Sequence, residues 1–297
     1  MNMYVGVTDR SWYEIVSKGN FDEVNFWKPS PSAFKALQPN DLFLFKLHAP
    51  DNYIVGGGFF VEYSCIPSYL AWQAFGKKNG AGSLQELNGR LMKYRQRHGI
   101  EGNNPEIGCI ILTEPFFFEK TTWIPVPEDW KKSIVQGKVY NTSTPIGKSL
   151  YNEVQERLHQ DSEIRYSSYM TRHRLGQGAF RVSVADAYHR RCAITGEKTL
   201  PVLQAAHIKP YANEGPHLVS NGILLRSDLH TLYDDGYITI EPDYRIRVSK
   251  RLHEDYGNGK AYYQYDGKHL LILPDSKINL PDRNFLEWHN EHVFLEN

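Results

Sequence analysis

The amino-acid sequence predicts an α+β protein of two domains, and three observations carry that reading. The first 130 residues hold several short apolar or alternating runs closed by turn residues, the pattern of a strand-rich fold. Within them, residues 68–98 carry apolar side chains at helical spacing. Past residue 200 the pattern changes to strand, loop, strand and short helix, with histidines set inside apolar runs. At 297 residues, the chain has the length of two ordinary domains.

Taken in order, MYVGVT (residues 3–8) alternates and predicts a first strand. Ser11–Lys18 predicts a short helix closed by Gly19 and Asn20. Asp41–His48 is a second strand, Asp51 and Asn52 make a turn, and Tyr53–Tyr63 returns as a third. Gly56, Gly57 and Gly58 inside that strand predict a bulge or a close backbone approach. Tyr69, Trp72, Ala74, Phe75, Leu84, Leu87 and Leu91 mark the helical stretch. Ile107–Leu112 and Phe116–Val126 complete a small β-barrel or half-barrel with inserted helices. The polar run Gly137–Gly147 reads as a linker, and helices follow near residues 149–160 and 182–191. The expected boundaries are therefore 1–135 for the first domain, 136–164 for linker and connecting helix, and 165–297 for the second.

Charge and cysteine content narrow the classes. Lys+Arg and Asp+Glu both number 34, so any basic surface is local. Residues 1–130 carry 12 basic and 14 acidic side chains (net −2), residues 131–191 carry 11 and 5 (net +6), and residues 192–297 carry 11 and 15 (net −4). A basic middle between mildly acidic ends predicts a polyanionic partner, with a solvated basic linker as the alternative. Cys65, Cys109 and Cys192 are isolated, which excludes a Cys-rich zinc knuckle and a disulfide scaffold, and no structural zinc is expected. No run approaches the ~18 apolar residues of a membrane span. The N-terminus reaches Asp9 and Arg10 before a signal-like apolar region forms. The expectation is a cytoplasmic protein without a membrane partner.

Residues 191–249 carry the chemistry. The apolar run Val202–Ile208 holds His207; Asn221-Gly222 opens a second run, Ile223–Leu225. Ser227 and Asp228 are placed to cap a short helix bearing Leu229, His230, Leu232 and Tyr233, closed by Asp235-Gly236. His207, Asn221 and His230 are spaced by 14 and 9 residues, in outline a one-metal phosphodiesterase site. With CAITG, AAHIKPY and SNGILLRSDLH around these positions, about 60 residues resemble the HNH, or ββα-metal, endonucleases. The resemblance implies His207 as general base, Asn221 as the residue that holds the His207 strand and orients its ring, and His230 as a metal ligand. An imidazole whose ordinary pKa is about 6.5 suits a base near neutral pH. Many members of that family carry Asp before the base histidine, where this chain has Ala206. Asp234, four residues after His230, shares its helix side and is the first candidate for the missing oxygen; Asp228 is the second. The implied cation is Mg²⁺, with Mn²⁺ or Ni²⁺ as substitutes. Cys192 reads as a small core residue and His217 as a solvent or phosphate contact. Arg172, Arg174, Arg181, Arg190 and Arg191 precede the unit and are the candidates for gripping DNA phosphates.

In the first half, YVGVTDRSW, NFWKPS, LFLFKLHAPDNYIVGGGFF and AWQAFG resemble the PUA-like superfamily, nearest to EVE- and ASCH-type domains. That implies a small barrel holding a base in an aromatic pocket. Joined to an HNH unit, it resembles modification-dependent restriction endonucleases, which cleave double-stranded DNA containing modified cytosine. Trp12, Phe26, Trp27 and Tyr63 are the stacking candidates, and Asn25 and Asp9 the polar readers, with Asn25–Ser30 placed in a loop. For each ring, core packing is the alternative; Trp72 and Phe75 read as a helix's core face. Two further readings stay open: a modified-DNA binder whose nuclease half is impaired, supported by Ala206, and an RNA-directed protein. One catalytic unit cuts one strand, so a double-strand break implies a homodimer or two successive events. The expected C-terminal helix, Arg283–Leu295, carries Phe285, Trp288, Val293 and Phe294, which pack either at home or on a second copy.

Overall fold

The computed structural model describes residues 1–97, 106–161 and 175–296. The chain forms two compact units, Met1–Gly176 and Gln177–Asn297. The first holds strands β1 (Asn2–Thr8), β2 (Glu23–Lys28), β3 (Leu42–Leu47), β4 (Tyr53–Pro67), β5 (Glu106–Phe117), β6 (Ile124–Pro125) and β7 (Gly137–Asn141). Its helices are α1 (Arg10–Val16), α2 (Ser68–Phe75), α3 (Leu84–Arg97) and α4 (Pro145–Asp161). The strands form one sheet in the order β2-β5-β4-β3-β1-β7, with β6 beside β4; β1 and β3 run parallel and the other pairs antiparallel.

Alternation along β3 explains both cores. Leu42 and Leu44 join Met3, Val5 and the α4 residues Leu150, Val154 and Leu158. Phe43 and Phe45 enter a second cluster with Trp12, Val24, Phe26 and Leu112. Successive strand side chains point to opposite faces, so a strand covered on both reads as an unbroken apolar run. The glycines of β4 meet their expectation: the register with β5 shifts between Gly57 and Phe59, and a Cβ on Gly56 would lie 2.2 Å from the Phe116 carbonyl oxygen.

Three stretches differ from their sequence reading. Asn25–Lys28, expected in a loop, belongs to β2, with Asn25 opposite Ile111 and Trp27 opposite Cys109 on β5. Asparagine's low strand propensity hid it; in the fold, Asn25 Nδ2 donates to Asn79 Oδ1 at 2.9 Å, which satisfies a group that burial would otherwise penalise. The helical stretch 68–98 divides into α2 and α3, because Gly76 and Gly80 take φ of 49° and 65° around a 3-10 turn, Gly76–Asn79. The expected linker 137–147 supplies strand β7 and the start of α4. Its polar residues lie on an edge strand whose one deep anchor is Tyr140, 4% exposed, donating through its hydroxyl to Asp129 at 2.8 Å. Strand β7 and helix α4 are therefore part of the first unit's fold, not a connection.

The second unit holds α5 (Gln177–Ala187), β8 (Leu203–His207), β9 (Gly222–Arg226), α6 (Ser227–Asp234), β10 (Ile238–Ile240), β11 (Ile246–Val248), α7 (Arg251–Tyr256), α8 (Lys260–Tyr263) and α9 (Arg283–His292). Strands β8 and β9 pair antiparallel, with His207 opposite Gly222 and Ala206 opposite Ile223. Phe180, Val184, Ile223, Leu225, Leu229 and Tyr233 are buried in this unit. Cys192 is fully buried and its Sγ accepts from the Arg226 amide at 3.3 Å, a core role. Helix α9 buries Leu286 and His289 within its own unit, while Phe285, Trp288, Val293 and Phe294 remain half-buried. Among the described residues, no helix is long and apolar enough to cross a membrane.

Candidate active site

Strand β8, helix α6 and helix α5 converge on a cavity of about 310 Å³. His207 and Ala205 reach it from β8, His230 and Asp234 from α6, and Phe180 and Arg181 from α5. Ala206 is fully buried in the core opposite Ile223. The alternation of the strand thus gives the cavity positions 205 and 207 and withholds position 206 from it.

His207 sits against the Phe180 ring, stacked at 4.0 Å between centroids, and its Nε2 shares a hydrogen bond with His217 Nδ1 at 3.0 Å. Burial first, and the neighbouring His217 second, push its pKa down to about 4; Asp234 acts the other way. At neutral pH the imidazole is uncharged and keeps a lone pair for a proton. His217, read from sequence as a solvent or phosphate contact, is therefore a direct neighbour of the expected base. The exposed Tyr211 ring stacks on it at 4.8 Å.

Asn221 is fully buried, and its amide is engaged away from the His207 ring. Its Oδ1 accepts from the Lys209 amide, and its Nδ2 donates to the carbonyls of Lys209 and Pro216, each at 2.9 Å. The expected ring-orienting contact is replaced by a clamp on both ends of the loop that leaves β8. Phe180 and His217 hold the ring instead. An amide suits the clamp because it donates and accepts at once without charge.

On α6, the i,i+4 spacing brings His230 Nε2 to 3.1 Å from Asp234 Oδ2. The other ring nitrogen, Nδ1, lies 2.7 Å from Gln204 Oε1, an acceptor, so the Nδ1 proton points there. Nε2 then presents a lone pair to a carboxylate. An imidazole nitrogen and a carboxylate oxygen side by side are a donor pair that suits a cation. Asp228 is engaged elsewhere. It accepts two hydrogen bonds from the Arg226 guanidinium at 2.6 and 2.7 Å and one from the Tyr262 hydroxyl at 3.2 Å. The Arg226 bonds hold its carboxyl below the usual range, and α6 has no side-chain cap. Among the described residues, no group of three or more His, Cys, Asp or Glu side chains is arranged to enclose a metal. The donor set present fits a hard cation held by one imidazole and one carboxylate, with water and substrate phosphate completing the shell.

Of the five arginines, Arg181 lines the cavity and Arg190 pairs with Asp186 at 2.9 Å. Arg191 is half-buried, and Arg172 and Arg174 lie outside the described residues. In the first unit, Trp12 and Phe26 are 4% and 9% exposed and pack on each other and on Phe45. Asn25 is fully buried; these three are core residues in this structure rather than a lining. Trp27 and Tyr63 keep partial exposure. Trp27 Nε1 donates to the Asn79 carbonyl at 3.0 Å, the Tyr63 hydroxyl donates to the Pro31 carbonyl at 2.9 Å, and Lys28 Nζ lies 6.0 Å from the Tyr63 ring centre. Asp9 lies apart, exposed beside His48 at 3.6 Å. Sequence reasoning missed Gln204, Phe180 and the contact that His217 makes. The one available signal was proximity to His207 in the chain, for Gln204 and His217.

Residues 192–241 match the HNH_2 family of HNH endonucleases. No curated protein sequence matches the chain. Among solved structures, the ASCH protein of Zymomonas mobilis is similar at 8% identity, over 50% of this chain and 94% of that one, with a TM-score of 0.35. A single-residue mutant of that protein gives 7% identity, 51% and 97% coverage and a TM-score of 0.36. The modification-dependent restriction endonuclease TagI is similar at 12% identity, over 97% of this chain and 81% of that one, with a TM-score of 0.29. The family match and the strand–strand–helix site with His207, Asn221 and His230 in it make the second unit an HNH endonuclease domain.

Proposed function

We propose that the chain is a divalent-metal-dependent endonuclease of double-stranded DNA that recognises modified cytosine with its first unit and hydrolyses phosphodiester bonds with its second. The observation that carries the nuclease half is the gathering of His207, His230 and Asp234 on one cavity inside the segment that matches HNH endonucleases. Neutral His207 takes a proton from the attacking water, and the Phe180 stack keeps the ring from turning away. Arg181 supplies a fixed positive charge for a phosphate oxygen. Gln204 fixes the His230 tautomer so that Nε2 is the ligating nitrogen, and His230 and Asp234 would hold the cation. When bound, that cation neutralises charge on the phosphoryl oxygens and the leaving oxygen. Ala206 gives no support to an impaired nuclease, because its position faces the core.

Recognition of modified cytosine rests on the resemblance of the first half to PUA-like base readers. Of the six residues first considered there, Trp27 and Tyr63 are the rings with surface left to stack. The test is digestion of one duplex sequence prepared with cytosine, 5-methylcytosine or 5-hydroxymethylcytosine, in Mg²⁺, Mn²⁺, Ni²⁺ or chelator. Cleavage confined to a modified duplex and abolished by chelator is expected. Equal cleavage of all three duplexes contradicts the reader half, and cleavage in chelator contradicts metal dependence.

A further inference from the structure

We infer that His217 is a positioning residue for the general base: it accepts the Nε2 proton of His207 and thereby fixes Nδ1 as the nitrogen that takes the proton from water. The inference deepens the nuclease reading and rests on His207 being its base.

The geometry is specific. His207 Nε2 and His217 Nδ1 lie 3.0 Å apart, and one of the two nitrogens must carry the proton they share. Neither ring is loosely held. Phe180 stacks on His207 with an interplanar angle of 10°, and Tyr211 stacks on His217 at 13°. The loop under His217 is also fixed, since the carbonyl of Pro216, the residue before it, accepts from buried Asn221. The fully buried asparagine of the HNH segment therefore clamps the backbone next to His217.

The surroundings of His207 favour an uncharged ring: burial opposes a positive imidazole most, His217, His230 and Arg181 oppose it as well, and Asp234 supports one. A neutral His207 with its proton on Nε2 has that proton satisfied by His217 and its Nδ1 lone pair open to water. In the step, a water O–H bond breaks, an Nδ1–H bond forms on His207, and the resulting positive ring keeps its Nε2–H donated to His217 Nδ1. The hydroxide electron pair forms a bond to phosphorus, the P–O bond to the leaving sugar oxygen breaks, and that oxygen departs with the bonding pair and takes a proton from solvent water. An orienting partner on the far nitrogen of a catalytic histidine sets its tautomer, and loss of such a partner lowers turnover rather than binding.

The experiment uses the full chain and two variants. His217→Phe keeps a flat ring against Tyr211 and removes the acceptor; His217→Asn keeps an acceptor near the Nδ1 position. Single-turnover cleavage with Mg²⁺ should fall roughly 10- to 100-fold in His217→Phe, with DNA affinity within about twofold of wild type, and recover to within about threefold in His217→Asn. Adding His217→Phe to His207→Ala should change the rate no further, because both act through one group. In parallel, ¹⁵N-imidazole NMR of the wild-type chain without DNA should show a protonated His207 Nε2, and His217→Phe should abolish that preference. Wild-type cleavage by His217→Phe, a loss of DNA affinity at unchanged rate, or additivity with His207→Ala would overturn the inference. An unprotonated Nε2 overturns it too. If the wild type cuts no DNA, the nuclease reading fails by itself, and the NMR result still decides the tautomer.

Discussion

The two units use their aromatic and polar side chains in opposite ways. In the first, rings fill one face of a sheet: Phe43, Phe45, Phe26 and Trp12 form one continuous cluster, and the amide of Asn25 is buried against Asn79. In the second, Phe180 and Tyr211 each lie flat on a histidine of the site, and the polar groups open on a cavity. Stacking in the first unit is therefore mainly a matter of stability, and stacking in the second a matter of aim. A ring type alone does not distinguish these uses, and neither does a histidine neighbour, since Tyr233 stacks on His289 with both rings buried.

The largest effect expected from this contrast is kinetic. His207→Ala should lower single-turnover cleavage by roughly 10²–10⁴-fold or more while DNA binding and the melting temperature stay near wild type. A variant that unfolds, or that cuts normally, would place His207 in the structural class with Trp12. Trp12→Ala provides the mirror experiment: truncating a ring that is 4% exposed should cost about 3–5 kcal/mol of stability, read by denaturant unfolding. Trp27→Ala should cost less stability. It should instead reduce the preference for modified over unmodified duplex by about 1–3 kcal/mol if the ring stacks on the base. Equal stability losses for Trp12 and Trp27, with preference unchanged, would assign both to the core.

The legible part of the sequence follows the same division. Strands β1, β3, β8 and β9 and helix α6 stand close to where their patterns put them, because alternation and turn residues acted without competition. His207 and His230 were named from the resemblance to HNH endonucleases and Asp234 from its spacing to His230 on a helix; the fold brings the three to one cavity. Strand β2 was hidden by an asparagine whose Nδ2 finds a buried partner in Asn79, 54 residues away. Strand β7 was hidden because only Tyr140 of its five residues is buried, which leaves no apolar alternation to read. The Asn221 clamp and the His207–His217 bond were beyond a linear reading, since both depend on how the intervening loop folds back.

On α6, Asp234 and Asp228 differ by the same criterion of engagement. Asp234→Asn should raise the metal concentration for half-maximal cleavage by about tenfold or more. Asp228→Asn should leave it unchanged and cost under about 1 kcal/mol by loosening a partly exposed pair with Arg226. The reverse pattern would move the ligand to the first turn of the helix.

A smaller effect concerns acid. Buried His289 accepts from Thr239 Oγ1 at 2.8 Å and donates to the Tyr233 carbonyl at 3.2 Å, and burial pushes its pKa from 6.5 down to about 4. His207 is shifted the same way. The unfolded chain binds these protons first as pH falls, so their contribution to stability is full above about pH 6.5 and is lost as pH drops toward 4. The slope is at most about 1.4 kcal/mol per pH unit for His289 and less for the more exposed His207. Melts between pH 7 and pH 4.5 should show a shallower slope in His289→Gln than in wild type; equal slopes would refute the buried neutral state.

The proposed function joins a modified-base reader to a metal-dependent HNH nuclease centred on His207 in one chain. The most direct measurement is single-turnover cleavage of a matched pair of duplexes, with and without modified cytosine, by wild type and His207→Ala in parallel, with Mg²⁺ and with chelator. The account predicts cleavage only by wild type, only with metal and preferentially on the modified duplex, while His207→Ala retains the same binding preference without cutting. Cleavage of both duplexes at one rate, or cleavage by His207→Ala, would contradict it.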